Sequence, residues 1–348
     1  MKNILLFLMV SMNLFGATRG IIVATNDKYA VTLVPSLYIL REIHGCQLPI
    51  QVWYSGDELS PDTIENLKNI GNITFCDMAE LFGGDPKNYR GYQIKGYMMG
   101  ATHFDEVVLM DADVFFFQNP EVLFNHPGYL ATGAFLFRDA QWQMFGDKAP
   151  SLDWYHKGKV SFYEKRRKYI LQHVPTPSSY VPDDWLHYWN EDFIPSNDHK
   201  VSSEHVETGC VIMDRIRHKK AIEETVAFND DREVFFSLFL GEKETFWLGL
   251  EKAKEPYFIN PLVPYSYFTD LHFVNRRHDL VHFVDQEMFF LQKTPEYPPV
   301  NPLFISNEIE VHPTTLKNLE AYGTIPTDHE IEQFNNLTFT YHLFSKGL

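Results

Sequence analysis

Two acidic residues, Asp111 and Asp113, interrupt an otherwise apolar run from Val107 to Phe117. Side chains alternate along an extended chain, so carboxylates two positions apart point the same way. Two hard oxygen donors offered together suit Mg²⁺ or Mn²⁺, and such a cation can bridge them to a diphosphate. A run this apolar reads as a strand buried on both faces, and ligands of open α/β sheets gather at the carboxyl edge of the strands. Asn119-Pro120-Glu121 then opens a helix, with Asn119 as its cap and Pro120 at its first position. The acids therefore stand where a buried strand gives way to a new element, a place where residues act more often than they pack.

The elements that position this pair come before it. Residues 20–25 predict a first strand centred on Ile21, Ile22 and Val23, with Thr25-Asn26-Asp27 as a turn. Tyr29, Leu33, Leu37 and Leu40 predict an amphipathic helix ending near Gly45. Residues 50–54 predict a second strand, Ser60-Pro61 a helix to about Leu67, and residues 73–76 a short third strand. Ile94, Tyr97, Met98 and Ala101 then mark a helix that delivers the chain to the Val107 strand. This alternation predicts a parallel sheet with right-handed crossovers. Dinucleotide-binding folds share it, but no Gly-x-Gly-x-x-Gly follows the first strand and no Gly-x-x-x-x-Gly-Lys-Ser/Thr occurs. A diphosphate here would be held by metal rather than by a glycine cradle.

Beyond Phe124 the rhythm changes. Residues 141–198 are rich in Trp, Tyr, His and Pro and contain Lys165-Arg166-Arg167-Lys168. Such a segment reads either as an acceptor-binding insertion whose aromatic faces stack on sugar rings, or as a surface excursion anchored by its aromatics. The basic cluster itself reads as a solvated helix face. Glu207-Thr208-Gly209 reads as a turn entering a strand that continues to Asp214. Helices are predicted over 217–228 and 235–240 and from Gly241-Glu242-Lys243-Glu244 onward, with a strand at 257–259. There is no internal repeat and no linker, so residues 19–348 are expected to form one domain, with one half over 19–125 and another over 126–348.

Among 348 residues, 45% are hydrophobic, and 30 Lys and Arg face 46 Asp and Glu, a formal charge of −16. That balance argues against nucleic acid or an anionic membrane surface as a partner. Residues 1–18 have the form of a secretory signal, a short basic start and then an apolar core too short for the roughly 20 residues that span a bilayer. A membrane enters only if that segment stays uncleaved. Cys46, Cys76 and Cys210 fit no metal spacing and allow one disulfide at most. Asn72 and Asn336 begin glycosylation sequons.

Gly20-Ile21-Ile22-Val23, Leu48-Pro49-Ile50-Gln51-Val52-Trp53-Tyr54-Ser55-Gly56-Asp57, Asp111-Ala112-Asp113, Glu207-Thr208-Gly209 and Gly241-Glu242-Lys243-Glu244-Thr245-Phe246 follow one another in an order that resembles the fungal α-1,3-mannosyltransferase family, over about residues 20–304. The resemblance implies an α/β fold of the GT-A, Rossmann-like kind: a mainly parallel central sheet flanked by helices, with a large acceptor-side insertion. It implies a nucleotide-sugar glycosyltransferase with Mn²⁺ (or Mg²⁺), taking GDP-mannose with retention and a glycan or glycoprotein as acceptor. Its setting would be the secretory pathway, in the endoplasmic reticulum or Golgi lumen, or a secreted or periplasmic one.

By the same resemblance Asp111 and Asp113 hold metal and diphosphate, Thr25 and Asn26 lie beside the nucleoside, and Lys95 offsets phosphate charge. Glu207 is the acid near the reacting carbon, as oxocarbenium stabiliser or nucleophile. Glu244, where relatives often have Asp, is the second acid so assigned. Relatives often read Leu-Phe-Leu-His where this chain has Leu303-Phe304-Ile305-Ser306, so a third metal ligand falls to His312, with His282 as another substitute. Two other readings stand beside this one. A haloacid dehalogenase-type phosphohydrolase also uses Asp-x-Asp, but early in its domain and with a later Lys ahead of Asp-Asp; here three strands precede Asp111 and Asp183-Asp184 precedes Lys243. A non-catalytic carbohydrate-binding protein on the same fold is the other.

Overall fold

The computed structural model describes residues 18–139, 160–193, 205–239, 241–262, 264–269, 277–285 and 287–292. Nearly all of the expected leader, both ends of the aromatic insertion, His312 and the second sequon lie outside the described residues.

Strand β1 (Arg19–Ala24) leads to α1 (Asp27–Tyr38), β2 (Ile50–Tyr54) to α2 (Pro61–Lys68), and β3 (Ile73–Asp77) to α3 (Met78–Phe82) and α4 (Ile94–Ala101). Then come β4 (Glu106–Asp111), β5 (Val114–Phe116), α5 (Pro127–Thr132), β6 (Ala134–Arg138) and α6 (Val160–His173). After these follow β7 (Val206–Asp214), α7 (Lys219–Asp230), α8 (Arg232–Leu238), α9 (Lys243–Ala253) and β8 (Phe258–Ile259). The described chain closes with β9 (Tyr265–Thr269), β10 (Arg277–Val284) and β11 (Glu287–Gln292). Local chemistry sets the boundaries. Asn26 caps α1 by accepting from the Tyr29 amide, and Ser60 caps α2 ahead of Pro61. Asn119 also caps as expected, but what it opens is a 3₁₀ turn, Pro120–Asn125.

The main sheet has seven strands in the order β3-β2-β1-β4-β7-β6-β8. β7 alone runs against its neighbours, antiparallel to both β4 and β6, while the other pairs are parallel. The sheet is mainly parallel, as expected; a strand buried on both faces reads the same in either direction, which is why the reversal of β7 is invisible in its composition. Side chains alternate between two cores. Ile22, Val107 and Leu109 face α4, α7 and α9 through Met98, Ile222 and Trp247. Ile21, Val23, Val108 and Met110 face α1 through Leu33 and Leu37.

The 107–117 run is not one strand. β4 ends at Asp111, the chain turns through Ala112-Asp113, and β5 joins a second, four-stranded antiparallel sheet in the order β5-β11-β10-β9. Both pieces are apolar because each is covered, Phe116 by Phe289 and Phe290. The insertion's described part is anchored rather than open: Trp185 and Tyr188 are buried, and Tyr163 stacks on Tyr188 at 5.4 Å. Its basic cluster is a solvated face only in part: Lys165 and Lys168 are exposed, while Arg166 is buried and donates to the Leu238 carbonyl at 2.6 Å. All three cysteines are free thiols, and burial pushes Cys46 and Cys76 up to about 11. Among the described residues no helix is long and apolar enough to cross a membrane.

Candidate active site

At the carboxyl end of β4, Asp111 lies level with Ala24 of β1, so the acid emerges where two parallel strands finish side by side. Lys95, from the first turn of α4, reaches it: its Nζ lies 2.7 Å from Asp111 Oδ1 and 2.6 Å from Glu242 Oε1. Thr208 closes this group, its hydroxyl donating to Glu242 Oε1 at 2.9 Å and lying 3.2 Å from the Lys95 ammonium. Burial alone would favour a neutral lysine, but Asp111 and Glu242 outweigh it and hold Lys95 charged. Burial lifts the Asp111 carboxyl to about 6 against the pull of Lys95, with Glu242 adding repulsion. Asp113 is pushed up further, by burial and then by the charge of Asp111. The turn that carries both acids is fixed from α1, where Thr32 donates its hydroxyl to the Ala112 carbonyl at 2.9 Å.

Glu207 arrives by a bulge. β6 and β7 pair Leu136 with Val211 and then Phe137 with Glu207, so Thr208, Gly209 and Cys210 bow out of the ladder. What reads as a turn in the sequence is thus a break inside β7 that re-aims Glu207 and Thr208. Glu207 is fully buried; Oε1 accepts from the Gly209 amide at 2.8 Å and Oε2 lies 2.6 Å from Lys243 Nζ. The same ammonium binds Asp139 Oδ2 at 2.9 Å. Burial would raise Glu207, but Lys243 overrides it and brings the carboxyl down to about 2, so Glu207 is ionised at any physiological pH. Five carboxylates (Asp111, Asp113, Asp139, Glu207 and Glu242) face two ammonium groups here. That surplus of negative charge, with two carboxylates raised by burial and then by their neighbours' charge, fits a divalent cation at Asp111 and Asp113. Among the described residues no third His, Cys, Asp or Glu completes a metal cluster.

Residues 18–266 match the family described as "Mannosyltransferase putative". The chain belongs to this mannosyltransferase family. Its similar proteins include "Putative alpha-1,3-mannosyltransferase MNN12" of Candida albicans, 25% identical over 70% of this chain and 31% of that protein. Alpha-1,3-mannosyltransferase MNT3 of Saccharomyces cerevisiae is 24% identical over 70% of the chain and 39% of its own length. The chain thus spans about a third of the length of these relatives. Among solved structures, core-mannan synthase A from Aspergillus fumigatus in its Mn/GDP form superposes with a TM-score of 0.46 and 10% identity, over 80% of this chain and 77% of that one.

In this mannosyltransferase chain the assigned residues divide. Lys95, Asp111, Asp113 and Glu207 come together around one strand edge. Thr25 is buried just beyond β1, where its amide donates to the Trp53 carbonyl, and Asn26 Oδ1 is occupied in capping α1. Glu244 is not in the group. Its carboxylate accepts from the His205 amide at 2.6 Å, lies 3.2 Å from His205 Nδ1 and takes the Trp247 indole N–H, which makes it the clamp that ties α9 to the segment entering β7. The start of α9 turns Glu242 toward Lys95 and Lys243 toward Glu207, and Glu244 toward the core. Glu244→Ala is expected to cost about 2–4 kcal/mol in urea unfolding, since it strands buried donors. Asp139 and Thr32 had no signal in the sequence, and Thr208 stood in the Glu207-Thr208-Gly209 stretch without a role of its own. His282 is buried with no hydrogen-bond partner on either ring nitrogen, stacks on Phe290 at 4.2 Å, and burial lowers its pKa to about 3 under the opposed fields of Glu207 and Lys243.

Proposed function

We propose that this chain is a metal-dependent mannosyltransferase that takes a nucleoside-diphospho-mannose, GDP-mannose, and passes the sugar with retention to a hydroxyl of a glycan or glycoprotein in the secretory pathway. The observation that carries this reading is the convergence of Asp111, Asp113 and Lys95 with Glu207 at one strand edge. Asp111 and Asp113, with His312 as a third ligand, would hold the metal, which when bound would supply charge neutralisation for the departing diphosphate. Lys95 adds a fixed cation on the same side and keeps Asp111 from swinging away. Thr25 and Asn26, at the end of the neighbouring β1, line the place for the nucleoside. Residues 19–125 would then serve the donor and residues 126–348 the acceptor, within one domain.

Glu207 faces the sugar as an anion that stabilises positive charge building on the anomeric carbon. Both of its oxygens already hold donors, the Gly209 amide and Lys243. That pairing lowers its nucleophilicity and favours electrostatic support over covalent attack. Calorimetric titration with GDP-mannose, UDP-glucose, UDP-galactose and UDP-GlcNAc, with and without Mn²⁺, tests the donor assignment. GDP-mannose should bind best, and removing metal should weaken it by at least about tenfold. Metal-independent binding, or a preference for a UDP-sugar, would overturn the assignment.

A further inference from the structure

Behind α4, on the far side of that helix from Lys95, lies a hollow of about 220 Å³ lined by Phe82, Asn88, Tyr89, Tyr97, Asn229 and Arg232. Three rings form its wall: Phe82 and Tyr89 stack at 5.6 Å, Tyr97 lies 6.0 Å from Phe82, and it meets Tyr89 edge-on at 5.7 Å. The floor holds an unusual group. Asn229 is fully buried; its amide nitrogen donates to the Thr225 carbonyl at 2.8 Å and to the Thr245 hydroxyl at 3.2 Å, and its Oδ1 has no hydrogen-bond partner among the described residues. Because the Thr225 carbonyl can only accept, the amide cannot be flipped, so the orphan atom is an acceptor. The rim is polar and charged, with Asp230 taking the Tyr97 hydroxyl and Arg232 reaching the Asn88 carbonyl.

We infer that this hollow is a remote saccharide subsite that holds one pyranose ring of the acceptor glycan away from the point of transfer. A sugar ring presents an apolar C–H face and a rim of hydroxyls. The aromatic wall suits the first, while Asp230 and Arg232 suit the second. The volume falls below the roughly 300–1,000 Å³ of drug-sized pockets, which points to a single ring. The subsite touches the catalytic group only through helix and side-chain relays, Lys95 and Tyr97 sharing α4 and Asn229 bonding Thr245 on α9. It would therefore act on acceptor affinity rather than on the chemical step. The inference rests on the mannosyltransferase reading for the identity of the sugar.

The test titrates the whole protein with methyl α-mannoside and an α-mannobiose while following the Gly100 amide and Val226 methyl signals, both at the hollow. Saturable shifts at these two positions are expected, with at least tenfold weaker binding in Tyr89→Ala and in Arg232→Ala. These variants should also raise KM for a branched mannan acceptor while leaving kcat, and nucleotide release without acceptor, within twofold of wild type. No saturable shift at Gly100 and Val226 in the wild-type protein means that the hollow holds water only, and overturns the inference whatever the variants do. Nucleotide release from GDP-mannose, measured on the same sample, separates the two readings. Release without shifts removes the subsite alone, whereas shifts without release remove the transferase reading alone.

Discussion

Asp113→Ala is expected to abolish Mn²⁺-dependent donor binding and to lower nucleotide release by about 10²–10³-fold, as loss of a group that stabilises developing charge does. The fold should survive. Asp113 sits in the two-residue turn between β4 and β5 and takes no side-chain hydrogen bond among the described residues, while Thr32 holds the turn through the Ala112 carbonyl instead. Its carboxyl is pushed up by burial and by Asp111, so removing it relieves repulsion in the metal-free protein. Urea unfolding should therefore show unchanged or slightly raised stability, against a calorimetric trace with the Mn²⁺-dependent component gone. Asp111→Ala differs because it leaves Lys95 with Glu242 as its remaining carboxylate, and both stability and binding should fall. Intact metal-dependent binding in Asp113→Ala would remove this residue from the site.

Glu207→Gln should be the most damaging conservative change. It keeps shape and an acceptor for the Gly209 amide, yet replaces an anion held at about 2 by a neutral amide facing the Lys243 ammonium. A loss in kcat of about 10²–10³-fold is expected with little change in donor affinity, because the lost interaction strengthens only as sugar charge develops. Lys243 keeps Asp139 at 2.9 Å, which limits the structural cost. Glu207→Ala removes the buried partner outright and should destabilise by about 3–5 kcal/mol as well. The sign of the pH effect follows from the depressed value. Glu207 ionises more easily folded than unfolded, so its stabilising contribution is fully present above the ordinary value of 4.5 and disappears as pH falls toward 2. Glu207→Gln should therefore flatten the acid limb of the unfolding profile over that window. An unchanged kcat would contradict the role given to Glu207.

Much of residues 19–125 was legible because each signal there is local. Asn26, Ser60 and Asn119 cap at the positions their side chains indicate, and the alternation of Ile21, Ile22 and Val23 with the 107–110 run follows from burial on two faces. The strand direction of β7 was not legible, nor was the break at Ala112-Asp113, since neither alters composition. Lys95 and Glu207 were found through resemblance. Their physical justification, pairing with Glu242 and Lys243, appears only when residues 147 and 36 positions apart meet across α4, β7 and α9. Glu244 was misplaced by one helical step, and Asp139 and Thr208 carry no pattern of their own. Long-range charge pairing is what sequence spacing cannot express.

The most direct measurement of the central claim is release of free nucleotide from GDP-mannose by the purified chain, with Mn²⁺ and an α-mannoside acceptor, followed by NMR assignment of the new anomeric centre. The result expected is metal-dependent release coupled one to one with an α-linked mannosyl product, both lost in Asp113→Ala and in Glu207→Gln. Release that continues in EDTA, a β-linked product, or no transfer from any nucleotide sugar offered would contradict it.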